Sequence, residues 1–258
     1  MLTTVRPDAV WVLVPYAAMR QVAGDVLAAG VPTFMEKPPG RSLQEARELA
    51  AIAARAGTPT QVAFNRRYAP LVGRAMRLAS EAGGVTALSC QFFRCGRQET
   101  DLCYATGIHG LDALRYLGPG EVQRVSTLPV GSNGALVTLT FDSGVVAHMQ
   151  ILPQVGVQAE RYTIHAGPRS IEIDGLYGPL TTFPGYLRCY DGGRLSFAQE
   201  NSETPAPAEV ICGFQGESQA FVSALQRGGT PTPSLAEALR SVQIAQAVRD
   251  GVSLDLTD

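Results

Sequence analysis

Short apolar runs alternate with helical periodicities in the first quarter of the chain. Val10–Val14 is a continuous apolar run rich in β-branched residues, which is typical of a strand buried on both faces of a parallel sheet. Apolar residues then recur at helical spacing up to Gly30, and again up to Gly57. Further short strands are predicted at Pro32–Met35 and Thr60–Phe64. This strand–helix–strand–helix–strand order predicts parallel βαβ units with right-handed crossovers.

The pattern changes after Arg67 to one that predicts a mainly antiparallel sheet with a few helices. Asp142-Ser143 lies between two alternating apolar runs, which is a hairpin signal. Residues 176–212 are rich in Gly, Pro and Tyr and predict no definite element. The predicted helices are Pro70–Ala82, Ile108–Leu117, Phe214–Leu225 and Ser234–Arg249, and the predicted strands are Val85–Arg94, Gly134–Phe141, Gly144–Leu152, Arg161–Ala166 and Ser170–Asp174.

The expected fold class is therefore α/β followed by α+β. We predict a first domain at 1–67 and a second at 68–258, with closing helices (214–250) able to pack back on the first domain. Ser42 with Glu45, and Ser234 with Glu237, form capping boxes at two helix starts. Trp11 lies in a predicted strand, and we expect it to be a core residue.

Composition narrows the class of protein. The 258 residues are 45% hydrophobic and 17% charged with a net charge of −2, so the chain can bury a core and shows no basic excess for nucleic acid or anionic membranes. No apolar run is long enough to span a bilayer, and no signal peptide is expected. The five cysteines include no CxxC pair, so we expect reduced thiols in the cytoplasm and no metal site.

Three motifs occur in an order that resembles a known family. They are Glu36-Lys37-Pro38 after a short strand, the segment 64–70 (FNRRYAP), and His109 with Asp112 in the segment 108–117 (IHGLDALRYL). Together they resemble the Gfo/Idh/MocA oxidoreductases. The resemblance implies a Rossmann-like domain that binds NAD or NADP and a substrate domain with a large sheet. It also implies hydride transfer between the nicotinamide cofactor and a sugar or polyol.

The resemblance has two departures. The GxGxxG turn of such nucleotide domains is absent from the sequence, and the chain opens at what looks like the fourth strand. We therefore expect a partial, N-terminally truncated Rossmann domain that lacks at least two βα units, or roughly 60–80 residues at about 30 per βαβ unit. Many members have an aspartate four residues before the histidine, where this chain has Ala105.

Lys37 is the first catalytic candidate because it follows a strand end, where open α/β sheets place ligands. Its ammonium would hydrogen-bond the substrate oxygen, with Glu36 orienting it and Pro38 fixing the turn. The alternative is a solvated Glu36–Lys37 pair in a loop. His109 is the second candidate, as a proton donor or acceptor near pH 7. The alternative is a histidine at a helix start that packs against the sheet. Asp112 either holds His109 or caps a backbone amide.

Residues after the predicted strands are candidates for contact with the cofactor. Pro15 and Tyr16 follow the first strand, and Asn65 and Arg66 follow the third. Glu36, Lys37 and Pro38 complete this predicted set. The alternative for the arginines after the third strand is that they only bridge the two domains.

Two other functions stay open. One is a shortened, non-catalytic paralogue that acts as a binding or assembly subunit, with its first strand exposed as an apolar edge. The other is a reductase of a non-sugar substrate, such as an imine or a biliverdin-like compound, on the same fold. The open face of the predicted antiparallel sheet further predicts a homodimer or homotetramer.

Overall fold

The computed structural model describes residues 2–99, 101–176, 185–200 and 206–256. The chain divides into two compact units. Unit 1 is Met1–Phe64 with Glu217–Gln246, and unit 2 is Asn65–Gly216 with Ala247–Asp258.

The helices and strands are numbered in chain order. The helices are α1 Leu2–Val5, α2 Tyr16–Ala28, α3 Leu43–Ala56, a 3₁₀ helix at Asn65–Tyr68, α4 Pro70–Glu81, a π-helix at Leu102–Thr106, α5 Ile108–Leu117, α6 Ala208–Ile211, α7 Phe214–Gln226 and α8 Leu235–Arg249. The strands are β1 Val10–Val12, β2 Thr33–Met35, β3 Thr60–Val62, β4 Ala87–Phe93, β5 Val122–Val130, β6 Gly134–Phe141, β7 Val146–Leu152, β8 Ala159–Ala166, β9 Arg169–Asp174, β10 Tyr186–Asp191, β11 Arg194–Glu200 and β12 Leu254–Asp255.

Unit 1 contains a parallel three-stranded sheet in the order β1-β2-β3, as the alternating pattern predicted. The strands are shorter than predicted. β1 stops at Val12, and the next residue, Leu13, is 63% exposed. The outer edge of β3 is covered by the loop before α8, where the amide of Val62 donates to the carbonyl of Pro233.

The core of unit 1 is built around Phe34, Ala63 and Phe221. Trp11 packs on this cluster, with its ring 6.0 Å from Phe34 and 5.2 Å from Phe221. It is nevertheless 37% exposed, so the residue predicted to be core lies at the margin of the core.

Both predicted capping serines accept a hydrogen bond from the helix backbone. The amide of Glu45 donates to Ser42 and that of Glu237 donates to Ser234. At α3 the reciprocal half of the capping box differs from the prediction. The Glu45 carboxylate accepts from the backbone amide and guanidinium of Arg41, because that ion pair competes for the same oxygens.

Unit 2 is built on a nine-stranded sheet in the order β11-β10-β9-β8-β4-β7-β6-β5-β12. Among the described strands of this sheet only β4 and β7 pair in parallel, so the prediction of a mainly antiparallel sheet is confirmed. β5 was not predicted, and β10 and β11 lie in the region without a definite pattern. Of that region, residues 177–184 and 201–205 lie outside the described residues.

Helix α5 spans the predicted residues and packs closely on the sheet of unit 2. At Gly110 a side-chain carbon would lie 2.3 Å from Met149 and 3.0 Å from Phe92, so glycine lets the helix approach the strands. The π-helix immediately before α5 was not predicted. Among the described residues, no helix is long and apolar enough to cross a membrane.

Candidate active site

Five of the predicted site residues lie at the carboxyl edge of the parallel sheet in unit 1. Pro15 and Tyr16 follow β1, and Glu36, Lys37 and Pro38 follow β2. The two strands are parallel and in register, and the amide of Glu36 donates to the last carbonyl of β1 at 3.1 Å. The sheet geometry therefore brings both segments to one edge, as expected for a ligand site in an open α/β sheet.

Lys37 is the only lysine in the sequence; the remaining basic side chains among its 21 Lys and Arg residues are guanidinium groups. It is half-buried, and its backbone amide donates to the Glu36 carboxylate at 3.2 Å, so Glu36 contacts the backbone that carries Lys37. The next residue, Pro38, is buried. A lysine ammonium can release a proton at accessible pH, whereas a guanidinium cannot. This edge therefore carries the chain's one side-chain amine.

The start of α2 lies at the same edge. Pro15 is its N-cap residue, and its first turn contains no acidic side chain. The first amides of a helix have no partner within the helix and carry a partial positive charge. The edge thus combines a lysine with a helix start that suits an electron-rich ligand.

His109 and Asp112 lie one turn apart on α5 in unit 2. His109 is half-buried, and Asp112 is fully buried. Asp112 accepts two hydrogen bonds from the guanidinium of Arg67, at 2.8 Å from Nε and 2.7 Å from Nη2. Arg67 is neither of the two partners that the sequence suggested for Asp112. The sequence could not reveal it, because the two residues lie 45 positions apart.

Asn65 and Arg66 belong to the 3₁₀ helix of unit 2, and both are buried. Asn65 donates to the carbonyl of Cys212 at 2.7 Å, and its side-chain oxygen accepts from Arg66 at 2.8 Å. Arg66 also donates twice to Glu160, at 2.9 Å each. These contacts favour anchoring of the 3₁₀ helix. Contact of the two residues with a cofactor stays a prediction.

Comparison with known proteins supports the resemblance seen in the sequence. Residues 1–64 match the family described as "Oxidoreductase family, NAD-binding Rossmann fold". The whole chain is also similar to the D-apiose dehydrogenase of Paraburkholderia graminis, with 26% identity over 286 positions that cover 99% of this chain and 75% of that protein.

Residues 1–64 thus match the Gfo/Idh/MocA oxidoreductases, the family that the sequence motifs resemble.

Solved structures agree with this assignment at the level of the fold. A dehydrogenase from Clostridium difficile superposes with a TM-score of 0.82 at 14% identity, covering 96% of this chain and 80% of that one. An aldose-aldose oxidoreductase from Caulobacter crescentus, complexed with glycerol, gives a TM-score of 0.78 at 19% identity, covering 99% and 81%. The prediction of a Gfo/Idh/MocA oxidoreductase with an NAD-binding fold is confirmed.

Unit 2 contains a buried ionic cluster that the sequence did not single out. Glu160 is fully buried between Arg66 and Arg94, and its carboxylate accepts hydrogen bonds from both guanidinium groups. It also accepts a hydrogen bond from the Tyr162 hydroxyl at 2.9 Å. Burial raises the pKa of Glu160, but the two guanidinium groups lower it more and hold it at about 2. A charge on the apolar face of a strand was the available signal, since Tyr162 and Ile164 share that face.

A glycine of unit 2 packs closely against the 3₁₀ helix that contains Asn65 and Arg66. Gly213 has a φ of 86°, and a side-chain carbon there would lie 2.1 Å from the carbonyl oxygen of Asn65 and 2.7 Å from the amide of Ala69. Only glycine fits this backbone contact. Within the described residues, no group of three or more His, Cys, Asp or Glu side chains is placed to hold a metal ion.

Proposed function

We propose that this chain is an NAD(P)-dependent oxidoreductase that transfers a hydride between a nicotinamide cofactor and a sugar or polyol. The main support is the position of Lys37 at the carboxyl edge of a parallel sheet. The residues that form this sheet match an NAD-binding family. The substrate class rests on a relative named D-apiose dehydrogenase and on a structural neighbour named aldose-aldose oxidoreductase.

The edge of unit 1 fits part of such a cofactor. When bound, the nicotinamide supplies the acceptor or donor of the hydride. Pro15, Tyr16 and the start of α2 would contact it, together with Glu36 and Pro38. Because the sequence has no GxGxxG loop, these residues would hold only part of the cofactor.

Lys37 acts on the substrate oxygen in this proposal. In the oxidation direction its neutral amine accepts the proton of the hydroxyl as the carbon gives up its hydride, and the ammonium so formed hydrogen-bonds the new carbonyl oxygen. In the reverse direction the same ammonium donates to the carbonyl oxygen. Glu36 supports this by holding the backbone amide of Lys37.

His109 is the second proton carrier in this proposal, because an imidazole exchanges a proton near neutral pH. Asp112 is buried and paired with Arg67, so we assign it the role of holding α5 rather than contact with substrate. Asn65 and Arg66 anchor the 3₁₀ helix in this account.

The function is tested by cofactor binding and turnover. We expect the purified 258-residue protein to bind NADH or NADPH in the micromolar range by calorimetry and to reduce NAD or NADP with a member of a panel of aldoses, inositols and linear polyols. Heat-denatured protein is the control for the binding signal. The proposal is overturned if the protein does not bind the cofactor at millimolar concentration and turns over no member of the panel.

A second candidate function is that of a binding or assembly subunit. Among the described strands of its sheet, β1 has a neighbour on one side only, and a groove of about 930 Å³ next to it is lined by Trp11, Val222 and Leu225. Open strand edges next to apolar surface favour pairing with another chain. If the protein binds no cofactor and co-purifies with a stoichiometric partner, this candidate is favoured over the oxidoreductase.

We also infer a homodimer or homotetramer that packs through the open face of the large sheet. Leu128 and Leu136 lie opposite each other there and are 62% and 38% exposed. We expect light scattering at micromolar concentration to give twice or four times the chain mass, and Leu136→Arg to give a smaller species. Leu13→Arg, at a 63% exposed leucine of unit 1 and outside this sheet, is the matched control. A monomeric wild-type protein contradicts the inference.

We place this chemistry in the cytoplasm. All five cysteines are free, and Cys95 is the exposed one. Burial raises the pKa of the Cys103 thiol to about 11, which keeps it protonated and unreactive. Free thiols are the usual state in reducing compartments.

A further inference from the structure

Arg67 contacts two successive turns of the helix that carries His109. Its guanidinium donates twice to Asp112, three residues after His109, and lies 5.2 Å from the ring centre of Tyr116, four residues further on. Residues three and four apart share one face of a helix. A single side chain therefore holds the face of α5 on which His109 lies.

The position of Arg67 is itself fixed within unit 2. It lies in the 3₁₀ helix, where Asn65 bonds to the carbonyl of Cys212 and Arg66 is paired with the buried Glu160. The backbone of Gly213 lies against the same helix. The two residues before Arg67 are thus both anchored, and the Arg67 guanidinium extends from a fixed backbone.

The contact between Arg67 and Asp112 is directional as well as ionic. The two side chains are 7% and 1% exposed, and both carboxylate oxygens are engaged by separate nitrogens. A planar two-nitrogen fork fixes the angle between its partners, which a single ammonium does not. On its other side α5 is in close contact with the sheet at Gly110. Helix rotation is therefore limited from two directions.

We propose that Arg67 is the positioning residue for His109: through Asp112 and Tyr116 it sets the rotation of α5 and so the direction of the imidazole. This inference rests on the proposed function for its catalytic meaning. A misplacement of about 1 Å at a reacting group can lower a rate by about 100-fold. Loss of the fork should therefore act on kcat and much less on cofactor binding.

The first test uses the imidazole as a spectroscopic probe, which needs no turnover. The chain has three histidines, so their ring carbon–proton resonances are few, and His109→Gln identifies the signal of His109. Arg67→Lys keeps the charge beside Asp112 but loses the fork. We expect it to shift or broaden the His109 resonance and to leave those of His148 and His165 unchanged.

Arg115→Lys is the matched control, because Arg115 lies on the same helix and pairs with Glu121 instead. We expect it to leave all three resonances and the activity unchanged. Asp112→Asn is a second test variant, which keeps the shape and removes the charge, and it should shift the His109 resonance as Arg67→Lys does. Melting temperatures establish that each variant is folded.

Steady-state kinetics then separates the inference from the proposed function. We expect Arg67→Lys to lower kcat by about 10- to 100-fold with an unchanged KM for the cofactor. A His109 resonance that does not respond to Arg67→Lys or Asp112→Asn overturns the inference, whether or not the enzyme is active. A shifted resonance with unchanged kcat overturns the proposed role of His109, and the placement of α5 by Arg67 stands.

Discussion

Replacing Glu160 with glutamine should lower the free energy of unfolding by about 3–5 kcal/mol, the range seen when one partner of a buried ion pair is removed. Glu160 is fully buried and is bonded by both Arg66 and Arg94. The neutral amide would leave two buried guanidinium groups without their anion. The amide's donor nitrogen would also face cationic donors. Urea denaturation followed by circular dichroism measures the change.

Glu172→Gln is the control for this prediction. Glu172 lies on the neighbouring strand β9 and is half-exposed, so the same chemical change there should alter stability by less than about 0.5 kcal/mol. A loss below about 1 kcal/mol for Glu160→Gln would show that the cluster does not depend on its carboxylate.

The same pair of proteins gives a pH signature. The pKa of Glu160 is held at about 2 in the folded chain, below the value of about 4.3 for an unfolded glutamate. Its contribution is thus fully present above the unfolded pKa and is lost as the pH falls toward 2. Between about pH 5 and 2, wild-type stability should therefore fall more steeply than that of Glu160→Gln.

Replacing Lys37 with methionine should lower kcat by about 10²- to 10⁴-fold, the usual contribution of a positioned acid or base. Methionine keeps much of the length and apolar character of the side chain and removes the ammonium. Because Lys37 is half-buried at an edge, the melting temperature should change little. Initial rates with the best substrate of the sugar and polyol panel, together with NADH titration, measure the two effects separately.

Two further variants sharpen this result. Lys37→Arg retains the charge but cannot release a proton, so it should stay inactive if Lys37 carries the proton and should recover activity if only the charge matters. Arg41→Met removes an exposed cation four residues away and should leave kcat unchanged. Equal rates for wild type and Lys37→Met would contradict the assignment of Lys37.

Local signals predicted the elements that depend on local residues. Helix α5 was predicted to the residue, because its apolar spacing ends at Gly118, and both capping serines bond as expected. Three parallel strands followed from the alternation of apolar runs and helical periods. The edge with Lys37 followed from the rule that ligands lie at the carboxyl ends of such strands.

The features that were missed depend on residues far apart in sequence. Arg66 and Glu160 lie 94 positions apart, and Arg67 and Asp112 lie 45 apart. No periodicity relates such pairs, since the sheet of unit 2 decides which strands become neighbours. β10 and β11 escaped prediction because they are short, are flanked by glycines and contain many polar residues. The parallel pairing of β4 with β7 is likewise a property of the whole sheet.

A chain with a single lysine offers only one side-chain amine to the sugars that it is proposed to bind. Reducing sugars condense with free amines, and proteins are glycated mainly through lysine side chains. Guanidinium groups are far weaker nucleophiles, because they stay protonated. Here the only side chain open to that reaction is Lys37, at the carboxyl edge of β2. Slow Schiff-base damage by an aldose would therefore fall on the one amine that the proposed chemistry requires.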